Sequence, residues 1–148
     1  MKFALILLAI SLFSTATFAE CQNQDKSLES LSLSMSTASC EVEFYSVQAL
    51  HNAAIDSHTD VAKLVDRSKS SFSKTEQCSL LKEAQKLVPQ TIKAYGKCWK
   101  VSKKGIIACV HTDNIDTVVE AADSCLKGLE TAQEWSEIIK GAVKSTCK

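Results

Sequence analysis

The chain has 148 residues, with 17 basic and 17 acidic side chains, seven cysteines, four glycines and one proline. Its length suits a single domain with a sizeable core, and its balanced charge argues against generic binding of nucleic acid or other polyanions. So few glycines and prolines argue against a loop-rich miniprotein, and the apolar periodicity predicts an all-α fold.

Residues 1–19 predict a cleaved export signal. Lys2 provides a positive start, an apolar run follows from Phe3 to Phe13, and Thr17 and Ala19 suit the recognition positions of signal peptidase. The run is too short to span a bilayer. We therefore expect a secreted, extracellular protein whose residues 20–148 form a single helical domain.

The segment after the signal is ambiguous between helix and strand. Residues 25–38 fit both a helical stripe and a strand-like alternation with serine, and we interpret them as a marginal helix. From Phe44 to Val65 a second apolar stripe follows helical spacing clearly. The two stripes point in different directions, so a straight helix would expose one of them. This conflict predicts a helix break near Ser39–Cys40.

A capping box from Ser73 to Glu76 predicts the start of the next helix. Its apolar stripe continues in register on both sides of Pro89, which indicates one helix kinked at the proline rather than two helices. Gly105 predicts the end of this helix. Residues 106–110 are interpreted as a short buried crossing segment.

The last helix has the most regular apolar face in the chain, and Thr112, Asp113 and Asn114 offer N-caps for it. After Gln133 the face turns by about 100°. This turn indicates a kink, a break, or an end that packs on a different neighbour. The predicted fold is an all-α, disulfide-stapled bundle of about four helices. The three clearest helices are predicted at residues 41–66, 74–104 and 113–146.

The cysteines predict disulfides. No Cys-x-x-Cys pair occurs, which disfavours zinc and thioredoxin-like sites, and an exported chain favours oxidised cysteines. The candidates are Cys21, Cys40, Cys78, Cys98, Cys109, Cys125 and Cys147.

Helix geometry reduces the number of possible disulfide pairings. If the three helices run up, down and up, the rise of about 1.5 Å per residue gives the height of each cysteine in the bundle. Cys78 and Cys147 fall near one end, and we expect them to form a bridge. A second bridge is expected between two of the three cysteines at the opposite end, which are Cys40, Cys98 and Cys109.

The remaining cysteines leave one thiol without a partner. Cys125 lies at mid-height, where a folded-back N-terminal segment would bring Cys21. The odd thiol is therefore Cys21 or the leftover member of the group of three. An odd cysteine also admits a disulfide-linked homodimer as a hypothesis.

Six lysines fall within a band of about 60° on the second predicted helix. They are Lys82, Lys86, Lys93, Lys97, Lys100 and Lys104. One interpretation is a cationic surface that meets an anionic membrane. The other, which we favour, is a solvated face whose charge is offset by the acidic last helix. We accordingly do not expect membrane contact or a nucleic-acid partner.

Catalysis receives little support from the sequence. His51 and His58 are about 10 Å apart along a helix, too far to bind one ion together, and no recognised catalytic or phosphate-binding motif occurs. We interpret both histidines as structural residues hydrogen-bonded across a helix interface; the alternative is a pair that lines a cavity and releases ligand with pH. No enzyme activity, catalytic residue, metal site or cofactor is predicted.

Three functional hypotheses remain. The first is a binding protein that carries a small hydrophobic ligand in a cavity between helices. The predicted cavity residues are Phe44, Val47, His51, His58, Leu81, Tyr95, Trp99 and Ile115. The second is a venom or salivary component that acts on a host target or membrane. The third is a non-enzymatic interaction protein that dimerises through the odd cysteine.

Overall fold

A computed structural model describes the backbone from residue 4 onward and the side chains of residues 37–148. It contains three helices, α1 (Ala4–Ser70), α2 (Lys74–Cys109) and α3 (Ile115–Thr146). Residues Ser39–Lys148 form one compact unit. The predictions of a signal peptide at 1–19 and of a partner for Cys21 lie outside the described side chains.

The all-α prediction is confirmed, but the count of about four helices is too high. No break occurs near Ser39–Cys40, because α1 runs through this point and through residues 25–38. The physical reason is local: no glycine or proline precedes Pro89, so the two strongest helix breakers are absent from this segment. The predicted cost of a continuous helix is visible at Val42, whose side chain is 67% exposed.

Helix α2 is continuous through Pro89, as the in-register stripe predicts. Its start is capped by Ser73, whose hydroxyl accepts a hydrogen bond from the Glu76 backbone N–H at 3.4 Å. The second half of the predicted capping box differs. The Glu76 carboxylate accepts from the Ser71 hydroxyl at 2.6 Å, and that hydroxyl accepts from the Ser73 N–H at 3.2 Å.

The predicted end of α2 at Gly105 is wrong, because the helix extends to Cys109. Gly105 serves close helix packing instead. A Cβ there would lie 3.0 Å from Val118 Cγ1 and 3.3 Å from Val47 Cγ2, so the glycine lets three helices approach. Residues 106–109 are correspondingly the last turn of α2 rather than a buried crossing, Val110 is its C-cap, and Ile107 is 76% exposed.

The core consists of three apolar layers between the helices. The first layer surrounds Cys40 and Cys109, the second surrounds Tyr95 and Ala132, and the third surrounds Ala84 near the turn between α1 and α2. Helix α3 is unbroken, and its change of face after Gln133 brings its last turns into the third layer. Of the three alternatives, a break does not occur, and the last turns of α3 pack on α1 and α2 as its earlier turns do, at a different height.

Three disulfides connect the helices, and two match the predicted pairing. Cys78–Cys147 joins the start of α2 to the residue just after α3. Cys40–Cys109 joins α1 to the end of α2, with Cα atoms 4.8 Å apart.

The third bridge, Cys98–Cys125, corrects the prediction that Cys125 meets the N-terminal segment. The error follows from the misplaced helix end. Since α2 continues to Cys109, Cys98 lies about 16 Å from that end, at the height of Cys125. Cys21 is the one cysteine outside these three bridges.

Candidate functional site: an apolar cleft beside the Cys78–Cys147 bridge

The eight predicted cavity residues do not line one cavity. Phe44, Val47 and Ile115 pack in the layer around Cys40 and Cys109, whereas Leu81 lies 28 positions before Cys109 on α2. That separation corresponds to about 42 Å of helix, so these residues belong to opposite ends of the bundle.

The aromatic members of the set pack in the middle layer. Tyr95 is buried there, and Trp99 packs beside it with the Lys103 ammonium 5.2 Å from its ring centre. His58 lies against Tyr95, with ring centres 5.9 Å apart, and against Trp135 at 4.7 Å. These contacts are helix packing, because the three rings come from three different helices.

His58 packs against aromatic rings, and His51 makes the hydrogen bond across a helix interface that was expected of both histidines. The His51 Nε2 lies 2.8 Å from the Ser124 hydroxyl, across the interface between α1 and α3. A histidine next to a serine also resembles half of a nucleophilic site. However, Ser124 lies within α3, where neighbouring backbone N–H groups are engaged in the helix and cannot form an oxyanion hole. The pair can fix α1 and α3 in register.

The side chains around this pair form a polar cleft of about 460 Å³. It is lined by Gln48, His51, Asn52, Thr117, Glu120, Ala121 and Ser124. Among residues 37–148, no group of three or more histidines, cysteines, aspartates or glutamates could hold a metal ion.

A different, apolar cleft lies at the opposite end of the bundle, where the end of α1, the start of α2 and the end of α3 meet. Its volume is about 270 Å³. The residues that line it are Val65, Ser68, Lys69, Gln77, Leu81, Ile138, Ile139, Ala142 and Thr146. We refer to these nine residues as the apolar cleft.

The floor and one wall of the apolar cleft are aliphatic. Leu81 and Ile139 are almost completely buried, and Val65 packs on the same layer of the core. Ile138 forms part of the wall and remains 66% exposed. An exposed isoleucine at the edge of an apolar depression offers unburied surface that a ligand would remove from water.

The rim of the apolar cleft carries one cationic side chain, Lys69. Its ammonium contacts the Asp66 carboxylate at 3.1 Å, and both side chains are more than 70% exposed. Such a surface pair contributes little to stability, so the ammonium is free to turn toward an anion in the cleft. The Gln77 amide is fixed by a hydrogen bond to the Ser71 carbonyl at 2.6 Å.

The Cys78–Cys147 bridge lies directly beside this cleft. Cys78 follows Gln77 and Cys147 follows Thr146, so the bridge covalently joins two walls of the cleft. A cleft whose walls are held together loses less conformational entropy when a ligand binds. Of the residues that line the cleft, the sequence predicted only Leu81 as a cavity residue. The adjacent pair Ile138 and Ile139 was the available signal of an apolar surface, because two neighbouring helical residues cannot both face the core.

Comparison with known proteins found no matching family model, no similar curated protein and no similar solved structure. Among the residues that the structure describes, no helix combines the length and apolar character needed to cross a membrane.

Proposed function

We propose that this protein is a secreted, disulfide-stabilised binding protein that carries a small aliphatic carboxylate in the apolar cleft. The observation that carries the proposal is an aliphatic cleft between three helices with a single ammonium, that of Lys69, at its rim. An alkyl chain would cover Ile138 and Leu81, and the carboxylate would lie near Lys69. The location differs from the internal cavity expected from sequence, but the ligand class is the same.

The size of the cleft limits the ligand. Its volume of about 270 Å³ is just below the range of roughly 300–1,000 Å³ typical of sites for drug-sized molecules. The proposal therefore favours a short alkyl chain over a sterol or a full phospholipid.

The test is a titration with n-alkanoates of increasing chain length, measured by calorimetry or by displacement of a fluorescent fatty-acid analogue. Each methylene buried in the cleft contributes about 0.8 kcal/mol. Kd should therefore fall about four-fold per carbon until the chain is longer than the cleft. Affinity that does not depend on chain length would refute the proposal.

Two pairs of matched variants separate this cleft from nonspecific binding. Ile138→Asn should weaken binding by about five-fold, from roughly 1 kcal/mol of lost apolar contact. Ile107→Asn changes an isoleucine that is 76% exposed on α2 and does not line the cleft, and should have no effect. Equal losses in the two variants would argue against the cleft.

The second pair tests the head group. Lys69→Gln should weaken alkanoate binding by about two- to five-fold, as expected for an exposed ion pair, and should leave binding of an alkanol of equal length unchanged. Lys63→Gln is the control, since Lys63 is 68% exposed and forms the same type of pair with Asp60. Alkanols that bind as tightly as alkanoates would show that the protein does not recognise the carboxylate.

The other two functional hypotheses receive different support. Dimerisation through a disulfide is not favoured, because six cysteines are paired within the chain and only Cys21 is left for it. Action on an external target has a specific observation in its favour, the exposed lysines of α2.

A further inference from the structure

Helix α2 carries a straight row of cationic side chains on its solvent face. The row consists of Lys82, Lys86, Lys93, Lys97, Lys100 and Lys104, and all six are exposed. They lie within a band of about 60° over a length of about 33 Å. We refer to these six residues as the lysine row.

The lysine row is not neutralised by neighbouring carboxylates. Four salt bridges occur among residues 37–148; they involve Lys63, Lys69, Lys127 and Lys140, and each is local to its own helix. None includes a member of the lysine row. The positive charge of this face is therefore available to an external anion.

The acidic side chains are collected on a different helix. Seven acids and one lysine lie between Asp113 and Glu137, on or just before α3, and all seven acids are exposed. The balanced total charge thus conceals two oppositely charged faces. The argument from net charge against polyanion binding does not hold for the α2 face, because the local potential governs the approach of a charged ligand.

We propose that the lysine row binds a linear sulfated polysaccharide. A narrow row of point charges fits an extended, highly charged chain lying along the helix. Lysine supplies compact point charges, which attract the sulfate groups of such a chain without requiring a fixed two-point geometry. The acidic face of α3 repels the same chain, so that one face of the molecule is used.

The side chains around the lysine row disfavour two other anionic partners, a membrane and a single-stranded nucleic acid. A membrane-binding helix inserts apolar side chains next to its cations, but between Lys82 and Lys104 the nearby Trp99 and Tyr95 pack in the core. Single-stranded nucleic acid is held by exposed aromatic rings on which bases stack, and α2 presents no exposed aromatic residue.

Binding of this kind is driven largely by the release of counterions from the polyanion. The affinity should therefore fall steeply with salt concentration, with a slope of log Kd against log salt of roughly one per lysine engaged. Affinity should also rise with the length of the polysaccharide until a fragment spans the row, about 33 Å.

The experiment measures binding of size-defined heparin fragments to the full protein at several salt concentrations. The variant Lys93→Gln/Lys97→Gln/Lys100→Gln removes three adjacent members of the row. We expect a loss of roughly tenfold or more and a salt slope lower by about three. The control Lys63→Gln/Lys127→Gln/Lys140→Gln makes the same change in net charge elsewhere, and should retain the slope of the unmodified protein. Equal losses in both triple variants would overturn the proposal, because total charge would then explain the binding.

Three further ligands complete the test. Heparin stripped of its sulfates but retaining its carboxylates should bind much more weakly. Phosphatidylserine vesicles and a single-stranded oligo-dT should also bind less tightly than heparin at equal salt. Tighter binding to vesicles or to oligo-dT would overturn the proposal and identify a membrane or a nucleic acid as the partner. The alkanoate titration is independent, so failure of either proposal leaves the other standing.

Discussion

Two glycines on α3 give opposite predictions for the same substitution. Gly128→Ala should destabilise the protein, because a Cβ at this position would collide with the Tyr95 ring and lie only 2.7 Å from its Cδ1 atom. Gly141→Ala should stabilise it, since a Cβ there meets no atom within 4 Å. Both positions are helical, so local propensity alone predicts the same gain at both.

The magnitudes follow from opposing terms. Replacing glycine by alanine within a helix gains roughly 1 kcal/mol. At Gly141 this gain is unopposed, and the free energy of unfolding should rise by up to about 1 kcal/mol. At Gly128 the added methyl group must displace a buried aromatic ring, and such overpacking costs about 1–3 kcal/mol. The two variants should therefore differ by about 1–3 kcal/mol.

The assay is urea unfolding under non-reducing conditions, followed by circular dichroism and by tryptophan fluorescence. The midpoint should shift in opposite directions for the two variants at a constant slope, which would show that stability has changed without a change in the surface exposed on unfolding. If Gly128→Ala is as stable as Gly141→Ala, Tyr95 of α2 does not pack closely against Gly128 of α3. The described packing of the middle layer would then be refuted.

Three other predictions concern the interior. Cys98→Ala/Cys125→Ala opens a loop of 27 residues and should lower the free energy of unfolding by about 3.5 kcal/mol in the chain-entropy model, measured by urea unfolding. Burial raises the pKa of Tyr95 above its ordinary value of 10.0. Above this pH the unfolded chain loses the proton that the folded chain retains, so stability should fall as the pH rises past about 10. Tyr95→Phe should reduce this fall. Thr91→Val removes a 2.7 Å hydrogen bond to Ser57 at a site that is 2% exposed, and should cost about 1–2 kcal/mol.

Each of these predictions has an internal control. The control for Tyr95→Phe is Tyr45→Phe, which makes the same change at a side chain that is 66% exposed. Ser57→Ala combined with Thr91→Val gives a double-mutant cycle, and additive effects would show that the two hydroxyls do not interact. For the cysteine pair, a loss well below 1 kcal/mol would contradict a formed bridge. Peptide mapping of the non-reduced protein would check the three pairings directly.

The two proposals place function on different surfaces of the same scaffold. The apolar cleft lies where α1 ends and α2 begins, and the lysine row runs along the solvent face of α2. A carrier that also binds a sulfated polysaccharide would be retained at a charged matrix while holding its ligand. Because Lys69 belongs only to the cleft and Lys97 only to the row, single variants separate the two properties.

The boundaries of the helices show how far local sequence signals reach. The Ser73 cap and the in-register stripe across Pro89 were sufficient to place the start of α2 and its continuation past the proline, because capping and periodicity depend on residues within a few turns. Gly105 was misread as a helix end, since a glycine that permits close packing and a glycine that ends a helix look identical in sequence. That error of one turn displaced Cys98 in the predicted scaffold and led to a wrong partner for Cys125.

The sequence by itself determined the helical class, the oxidised cysteines and the positions of Cys78 and Cys147 at one end, because these follow from periodicity, composition and helix rise. Only the tertiary structure decided which apolar residues share a layer and which border a cleft. Ile138 and Ile139 are adjacent and chemically identical. Yet Ile138 is exposed at the wall of the cleft, whereas Ile139 is buried in the core. That difference arises from the packing of three helices, which brings together residues that are distant in the chain.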